Sequence, residues 1–349
     1  MRKILLPISL IYYIVLKIRH KLYDWGIFKA KQFDFPIICI GNLCLGGTGK
    51  TPMTEYLINI LKGRFRVATL SRGYGRKTKG FVLADESANY EAIGDEPYQY
   101  FRKFNDIQVA VDENRAEGVQ KLINQANPPE AILLDDAFQH RKIRAGQNIL
   151  LTDYNCLYSE DFLLPAGTLR DIRSAAKRAD IIIVTKSPEK LSDKEFEIIK
   201  AKLIPTENQK VFSSYMVYGE LIPLNEIAKS IHPSEVACAI ALCGIAKPAP
   251  FVEEIKRRFF QVKELIFSDH HDFSADDMEK IIKTFETFGK QNAIIVTTEK
   301  DASRLMKNSY LCQFNNLPIF TLPIKVRFHQ EDAFNSEIDT YVRRNTQNR

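Results

Sequence analysis

Between Ile38 and Pro52 the chain reads ICIGNLCLGGTGKTP, and the residues after Leu45 are of the kinds that hold a polyphosphate. Gly46, Gly47 and Gly49, with Thr48 among them, let backbone N–H groups approach an anion closely. Lys50 offers charge to the β- and γ-phosphates of a nucleotide, and Thr51 offers a hydroxyl to Mg2+. Pro52 falls in the first turn of the helix that should follow, where its missing N–H costs nothing. The expression G-x-x-x-x-G-K-[ST] fails only at its first position, which holds Cys44. That position needs a backbone direction more than a missing side chain, so Cys44 reads as a small tolerated residue.

Phosphoryl chemistry at such a loop needs an acid at the end of a neighbouring strand to hold the metal. Asp135 and Asp136 in ILLDDAFQH are the candidates, in preference to a strand-end turn or a helix cap. In AIGDEPYQYF, Asp95 reads either as an N-cap ahead of Pro97 or as a general base toward a hydroxyl, with Glu96 near the metal. FSDHHDFS sets His270 and His271 between aspartates, a pattern open to a metal site, an acid–base partner or a polar turn. SRGYGRKTKG carries Arg72, Tyr74, Arg76, Lys77 and Lys79, a solvated loop or a surface for an anionic substrate or lipid headgroup.

These groups require a scaffold, and the hydrophobic pattern supplies one. FPIICIGN, FRVATL, AILL, NILLTD and ADIIIVT are short apolar runs with polar exits, as buried parallel strands should be. TPMTEYLINILKG places Tyr56, Leu57, Ile60 and Leu61 on one helical face and stops at Gly63. Strands alternating with helices argue an α/β fold, a phosphate-loop NTPase-type parallel sheet with helices on both faces. VACAIALCGIAKPAPFVEEIKRRF and AIIVTTEKDASRLM repeat the strand, turn, helix order in a second, smaller α/β domain. KVFSSYMVYGELIPL and LPIFTLPIKVRF flank that unit and are expected to pair as a two-stranded neck. The expected organisation is an N-terminal helix over 1–28, a phosphate-loop domain over 29–210, the smaller domain over 211–328, and a polar tail over 329–349 forming a surface helix that frays.

The 349 residues carry a formal net charge of +6, too mild to indicate a nucleic-acid partner. Six scattered cysteines without a C-x-x-C pair suit reduced thiols rather than a disulfide framework or a zinc site. The apolar run from Ile4 to Leu16 is shorter than the about 20 residues a spanning helix needs. It lacks a small-residue cleavage site and runs into Lys17, Arg19, His20 and Lys21, unlike a secretory signal. As a helix, Ile8, Ile11, Val15, Ile18, Leu22 and Trp25 form one apolar stripe. The stripe alone fits both a helix lying in the headgroup region and one packing on the protein's own core.

Taken together, GNLCLGGTGKTP, SRGYGR, GDEP, DDAFQH, AGTLRD, FSDHHDF and TTEKDASRL, in that order behind an amphipathic N-terminus, resemble the tetraacyldisaccharide 4′-kinase family of Gram-negative bacteria. The family's loop reads GN-x-x-x-GGTGKTP, so Cys44 follows its habit. The resemblance implies ATP-dependent phosphorylation of the 4′-hydroxyl of a tetraacylated disaccharide 1-phosphate, giving lipid IVA in lipid A biosynthesis. It implies a monotopic protein on the cytoplasmic face of the inner membrane, with no protein partner. It carries over Lys50 and Thr51 on phosphate and Mg2+, Asp135 and Asp136 as the second metal-binding element, and Glu96 in the metal shell. Asp95 matches the catalytic base and His270 the histidine that supports it, while Arg72, Tyr74, Arg76 and Arg170 correspond to positions near the lipid substrate or phosphates. An acceptor with four acyl chains stays in the membrane, which favours membrane contact for the N-terminal helix. The alternative is a membrane-recruited ATPase acting as a switch or chaperone. Neither TKSP (185–188) nor TEKD (298–301) gives the N-K-x-D that reads guanine, and no Cys/His cluster lies beside the loop.

Overall fold

The computed structural model describes residues 2–269, 271–288, 292–305 and 316–347. They fall into two units, Met1–Met216 with Val326–Arg349, and Val217–Lys325.

In chain order the strands are β1 (Lys31–Gln32), β2 (Ile37–Asn42), β3 (Val67–Ser71), β4 (Val82–Leu83), β5 (Gln108–Val111), β6 (Ala131–Leu134), β7 (Ile143–Arg144), β8 (Gln147–Asp153), β9 (Ile181–Thr185) and β10 (Lys210–Tyr218). They continue with β11 (Ile222–Pro223), β12 (Cys238–Cys243), β13 (Gln261–Ile266), β14 (Ala293–Thr298), β15 (Ile319–Leu322) and β16 (Ile324–Phe328). The large sheet of the first unit runs β16-β10-β9-β8-β2-β6-β3-β5-β4. From β10 to β5 every pairing is parallel, and β4 closes that edge antiparallel. Every residue of β2, β3, β6 and β9 is buried, because helices cover both faces and leave no polar side for alternation.

One face packs under helix α2 (Lys50–Leu61) through Met53, Leu57, Ile58 and Leu61, and under Tyr100 and Phe104. The opposite face takes Leu16 of helix α1 (Leu6–Asp24), Val119 and Leu122, and Ile199 and Leu203 of the helix Asp193–Leu203. The tail differs from its sequence reading. Glu331–Gln347 is a helix whose Phe334, Ile338 and Val342 are fully buried on the same face as α2. Apolar residues at i, i+4 and i+8 in a polar segment make a narrow stripe, and that stripe is what the sheet covers.

Of the two packings its sequence allows, α1 adopts the one that keeps most of its apolar stripe off the protein's own core. Its buried residues are Ser9, Leu16 and His20, while Ile8, Ile11, Val15 and Ile18 remain exposed. The inward face is held by polar groups. Ser9 Oγ donates to the Leu163 carbonyl at 2.9 Å, and Tyr12 OH donates to the Arg170 carbonyl at 2.9 Å. His20 Nε2 meets Asp171 Oδ1 at 2.6 Å, and Asp171 is fully buried. The helix therefore docks through hydrogen bonds and turns its apolar stripe outward.

The second unit holds a sheet ordered β11-β15-β14-β12-β13, parallel except for β11 against β15. β12 alternates Ile240 and Leu242 toward one core with Ala239, Ala241 and Cys243 toward the other. Both faces are buried, so this strand reads apolar throughout.

Candidate active site

β2 lies between β6 and β8, and the chain builds the sheet outward from it in both directions. Ligands of open parallel sheets bind at the carboxyl ends of the strands at such a switch point. The glycine loop leaves β2 there and enters α2. Gly46 (φ +104°) and Gly49 (φ +84°, the N-cap of α2) adopt backbone conformations that favour glycine. Cys44 instead bridges Leu169 as a short antiparallel pair, flanked by Leu45 N–H to the Thr168 carbonyl at 2.7 Å. An extended residue needs no glycine, which explains the departure from the generic expression. Burial pushes the Cys44 thiol up to about 11, so it stays protonated.

Thr51 Oγ1 donates to Glu96 Oε1 at 3.1 Å, joining the first turn of α2 to the first turn of helix α3 (Asp95–Lys103). Asp135, at the end of β6, accepts from Tyr100 OH at 2.8 Å and Thr54 Oγ1 at 3.4 Å. Burial, then the charges of Glu96 and Asp136, push its carboxyl up to about 7. The neighbouring Asp136 has a left-handed backbone, φ +47°, a conformation uncommon for residues with a side chain though less so for aspartate than for most. Burial opposes its ionisation, yet the Arg170 fork and the Lys50 and Arg115 charges hold it below the usual carboxylate range. Arg170 pairs with both Asp136 oxygens and also donates to Asn42 Oδ1 at 2.5 Å, and Lys50 Nζ stands 3.8 Å from Asp136 Oδ2.

Thr51, Glu96 and Asp135 offer only hard oxygen donors, and their acids repel one another in a buried setting that a divalent cation would relieve. This set suits Mg2+, which takes one or two carboxylates and completes its shell with phosphate and water.

Gly94 (φ +93°), not Asp95, is the N-cap of α3. A Cβ there would meet the Tyr74 carbonyl at 2.9 Å, so the SRGYGR loop rests directly on the start of α3. Asp95 occupies the first helical position, half-buried. Arg72 and Tyr74 face solvent, Tyr74 82% exposed. Arg76 turns inward instead, pairing with Glu113 at 2.7 Å and donating to the Gly80 carbonyl at 2.7 Å, so it shapes the loop. His270 lies outside the described residues. His271 is engaged: Nε2 meets Asp277 at 2.9 Å, Nδ1 meets Ser268 at 3.3 Å, and the ring stacks on Phe267.

Two residues in this region carried no sequence signal of their own. Arg115 is 6% exposed and donates to the carbonyls of Asp112 and Glu113. His140 is held down to about 4 by burial and then by Arg115, Lys142, Arg19 and Arg72. His140 ends the quoted string DDAFQH, but only the fold gathers four cations around it.

A switch-point strand leading through a glycine loop into a helix, with acids on the adjacent strand end, defines a P-loop nucleotide-binding protein. Residues 1–343 match the family model described as tetraacyldisaccharide-1-P 4′-kinase. The chain is 44% identical to the tetraacyldisaccharide 4′-kinase of Bacteroides thetaiotaomicron, covering 99% of this chain and 94% of the relative. It is 46% identical to that of Flavobacterium johnsoniae, with 99% and 98% covered. A crystal structure of LpxK from Aquifex aeolicus in complex with ATP superposes with a TM-score of 0.74 at 30% identity, covering 98% of this chain and 99% of that one. The chain belongs to the tetraacyldisaccharide-1-P 4′-kinase family, and it is a kinase of lipid A biosynthesis.

Proposed function

We propose that this chain moves the γ-phosphoryl group of ATP to the 4′-hydroxyl of tetraacyldisaccharide 1-phosphate at a membrane surface, with Asp95 as the base. The observation that carries this reading is the convergence of Lys50, Thr51, Glu96, Asp135 and Asp136 at the mouth of the glycine loop. Gly46, Gly47, Thr48 and Gly49 wrap the polyphosphate at the N-terminus of α2, where N–H groups and helix dipole favour negative charge. Mg2+ bound by Thr51, Asp135 and Glu96 would neutralise charge on the phosphates. Asp136 orients Lys50 and Arg170 toward that same charge.

Asp95 opens α3 one residue after Gly94, against which the Tyr74 backbone packs, so the SRGYGR loop borders the base. As the acceptor oxygen bonds to the γ-phosphorus, the 4′-hydroxyl proton passes to the Asp95 carboxylate and ADP leaves with the bridging oxygen. The family resemblance implies His270 as the histidine that supports this base, while both ring nitrogens of His271 are engaged by Asp277 and Ser268. Arg72, Arg115 and the cations around His140 suit the acceptor's own phosphate. No described helix is long and apolar enough to cross a membrane. The outward stripe of α1 supports a peripheral contact, on the cytoplasmic side where ATP is available.

Incubating the purified protein with Mg2+-ATP and the disaccharide 1-phosphate precursor should give a product carrying a second phosphate, the 1,4′-bisphosphate, on chromatography. Asp95→Asn should lower kcat by about 10²–10⁴ while ATP affinity stays within about twofold. ATP hydrolysis indifferent to the acceptor, with no lipid product, would overturn the kinase assignment in favour of a switch ATPase. Near-normal turnover in Asp95→Asn would overturn the base.

A further inference from the structure

Two side chains outside that machinery grip the glycine loop by its carbonyls. Lys186 follows β9 in TKSP and has a left-handed backbone, φ +56°, uncommon for a residue with a side chain. Its Nζ donates to the Gly47 carbonyl and pairs with Asp153 Oδ2 at 3.0 Å. The Asp153 side chain is 7% exposed, so the ammonium is neutralised at the end of β8 rather than left facing the loop mouth. Thr185, buried beside it, shares its hydroxyl proton between the Thr48 carbonyl at 2.8 Å and the Thr152 carbonyl at 3.1 Å. From the other side, Asn42 Nδ2 donates to Thr48 Oγ1 at 2.7 Å.

A glycine-rich loop has a weakness as an anion site. Glycine accepts both signs of φ, so the peptide units around Gly47 flip easily and can present a carbonyl oxygen where an N–H is needed. A trans peptide points its N–H opposite its carbonyl, so whatever holds the oxygen also aims the N–H. Thr185 fixes the Thr48 oxygen toward the ends of β8 and β9, which sends the Gly49 N–H the other way. Lys186 fixes the Gly47 oxygen in the same manner, and the Thr48 N–H turns back to the Gly46 carbonyl at 3.1 Å.

We propose that Thr185 and Lys186 are positioning residues of the nucleotide site, which lock the Gly47 and Thr48 peptide units with their carbonyls turned away from the polyphosphate. The proposal rests on the kinase reading, and it assigns to TKSP a role in phosphate binding instead of base recognition. The brace acts through the loop, so it serves the polyphosphate whatever base is attached.

The test is titration of the full-length protein with Mg2+-ATP and, separately, with Mg2+-tripolyphosphate, alongside steady-state KM for the lipid acceptor. Lys186→Met alone strands a buried carboxylate, so it is paired with Lys186→Met/Asp153→Asn, and Thr185→Val removes the second tie without touching charge. Wild-type turnover of the lipid acceptor tests the kinase reading by itself, and the variant-to-wild-type ratio of dissociation constants tests the brace. In the double variant both dissociation constants should rise together by about tenfold, the effect of losing one charge-assisted hydrogen bond. Thr185→Val should raise both severalfold, Lys186→Arg should restore most of the loss, and acceptor KM should not move. Unchanged ATP affinity in folded Thr185→Val and double-variant protein would overturn the proposal. Weakened ATP with unchanged tripolyphosphate would also overturn it, by placing Lys186 at the base.

Discussion

Asp135 and Asp136 are adjacent in the chain, yet their surroundings drive them in opposite directions. Asp135 is buried among acids and hydroxyl donors and its carboxyl is raised, whereas Asp136 is forked by Arg170 and its carboxyl is lowered. His140 shows the same sensitivity of a single group to where the fold puts it. Its Nε2 is buried without a hydrogen-bond partner among the described residues, and its surroundings hold it down to about 4 from 6.5. The unfolded chain takes up that proton near 6.5, so between these values it binds more protons than the folded one. The neutral ring's contribution to stability is complete above pH 6.5 and is lost as the pH falls toward about 4. His140→Gln, which cannot take the proton, should flatten the acid-side decline of the melting temperature measured through that window. Melting curves that fall in parallel for variant and wild type would remove this explanation. Sequence made the glycine loop, Lys50, Thr51 and the two aspartates legible because their spacing is local and chemically unusual. Arg115 and His140 were not, since their environment is assembled from segments far apart in the chain.

Periodicity identified α1 and its apolar stripe, because period is a property of one segment. Which face docks is a property of the segment's neighbours, and those lie near Leu163, Arg170 and Asp171. The C-terminal helix misleads in the opposite sense: three apolar residues in a polar run are enough to anchor it when a sheet face waits for them. The outward stripe of α1 then has a definite consequence. Ile11 and Ile18 are 65% and 55% exposed, so replacing both with serine costs the folded protein little packing. Burying each such side chain in an apolar phase is worth about 1.5–3 kcal/mol, a large share of any interfacial affinity. Ile11→Ser/Ile18→Ser should sediment far less with phospholipid vesicles while its melting temperature matches wild type. Equal sedimentation of the two proteins would mean that the stripe does not meet the lipid.

At the scale of the whole molecule, each unit has what an independent fold requires. The first closes a nine-stranded sheet with both faces covered, and the chain leaves it along β10 and returns along the neighbouring β16. The second buries both faces of its five-stranded sheet in its own cores, one around Ile240, Leu242 and Ile281, the other around Ala241, Ile255 and Phe320. A segment of this size with its own core can fold alone. Calorimetry of the intact chain should therefore resolve two transitions, one of them matching isolated Val217–Lys325. The glycine loop, Glu96, Asp135 and Asp136 all belong to the first unit. A nucleotide bound there stabilises that unit by about 2.7 kcal/mol at a concentration about 100 times its dissociation constant. For a domain of more than about 150 residues this amounts to a rise of roughly 5–10 °C in that unit's melting temperature. Mg2+-ATP should thus move the transition that isolated Val217–Lys325 does not reproduce. If the isolated segment fails to melt cooperatively and the intact chain unfolds in one step, the two cores are not separate cooperative units, and nucleotide binding must then shift that single transition.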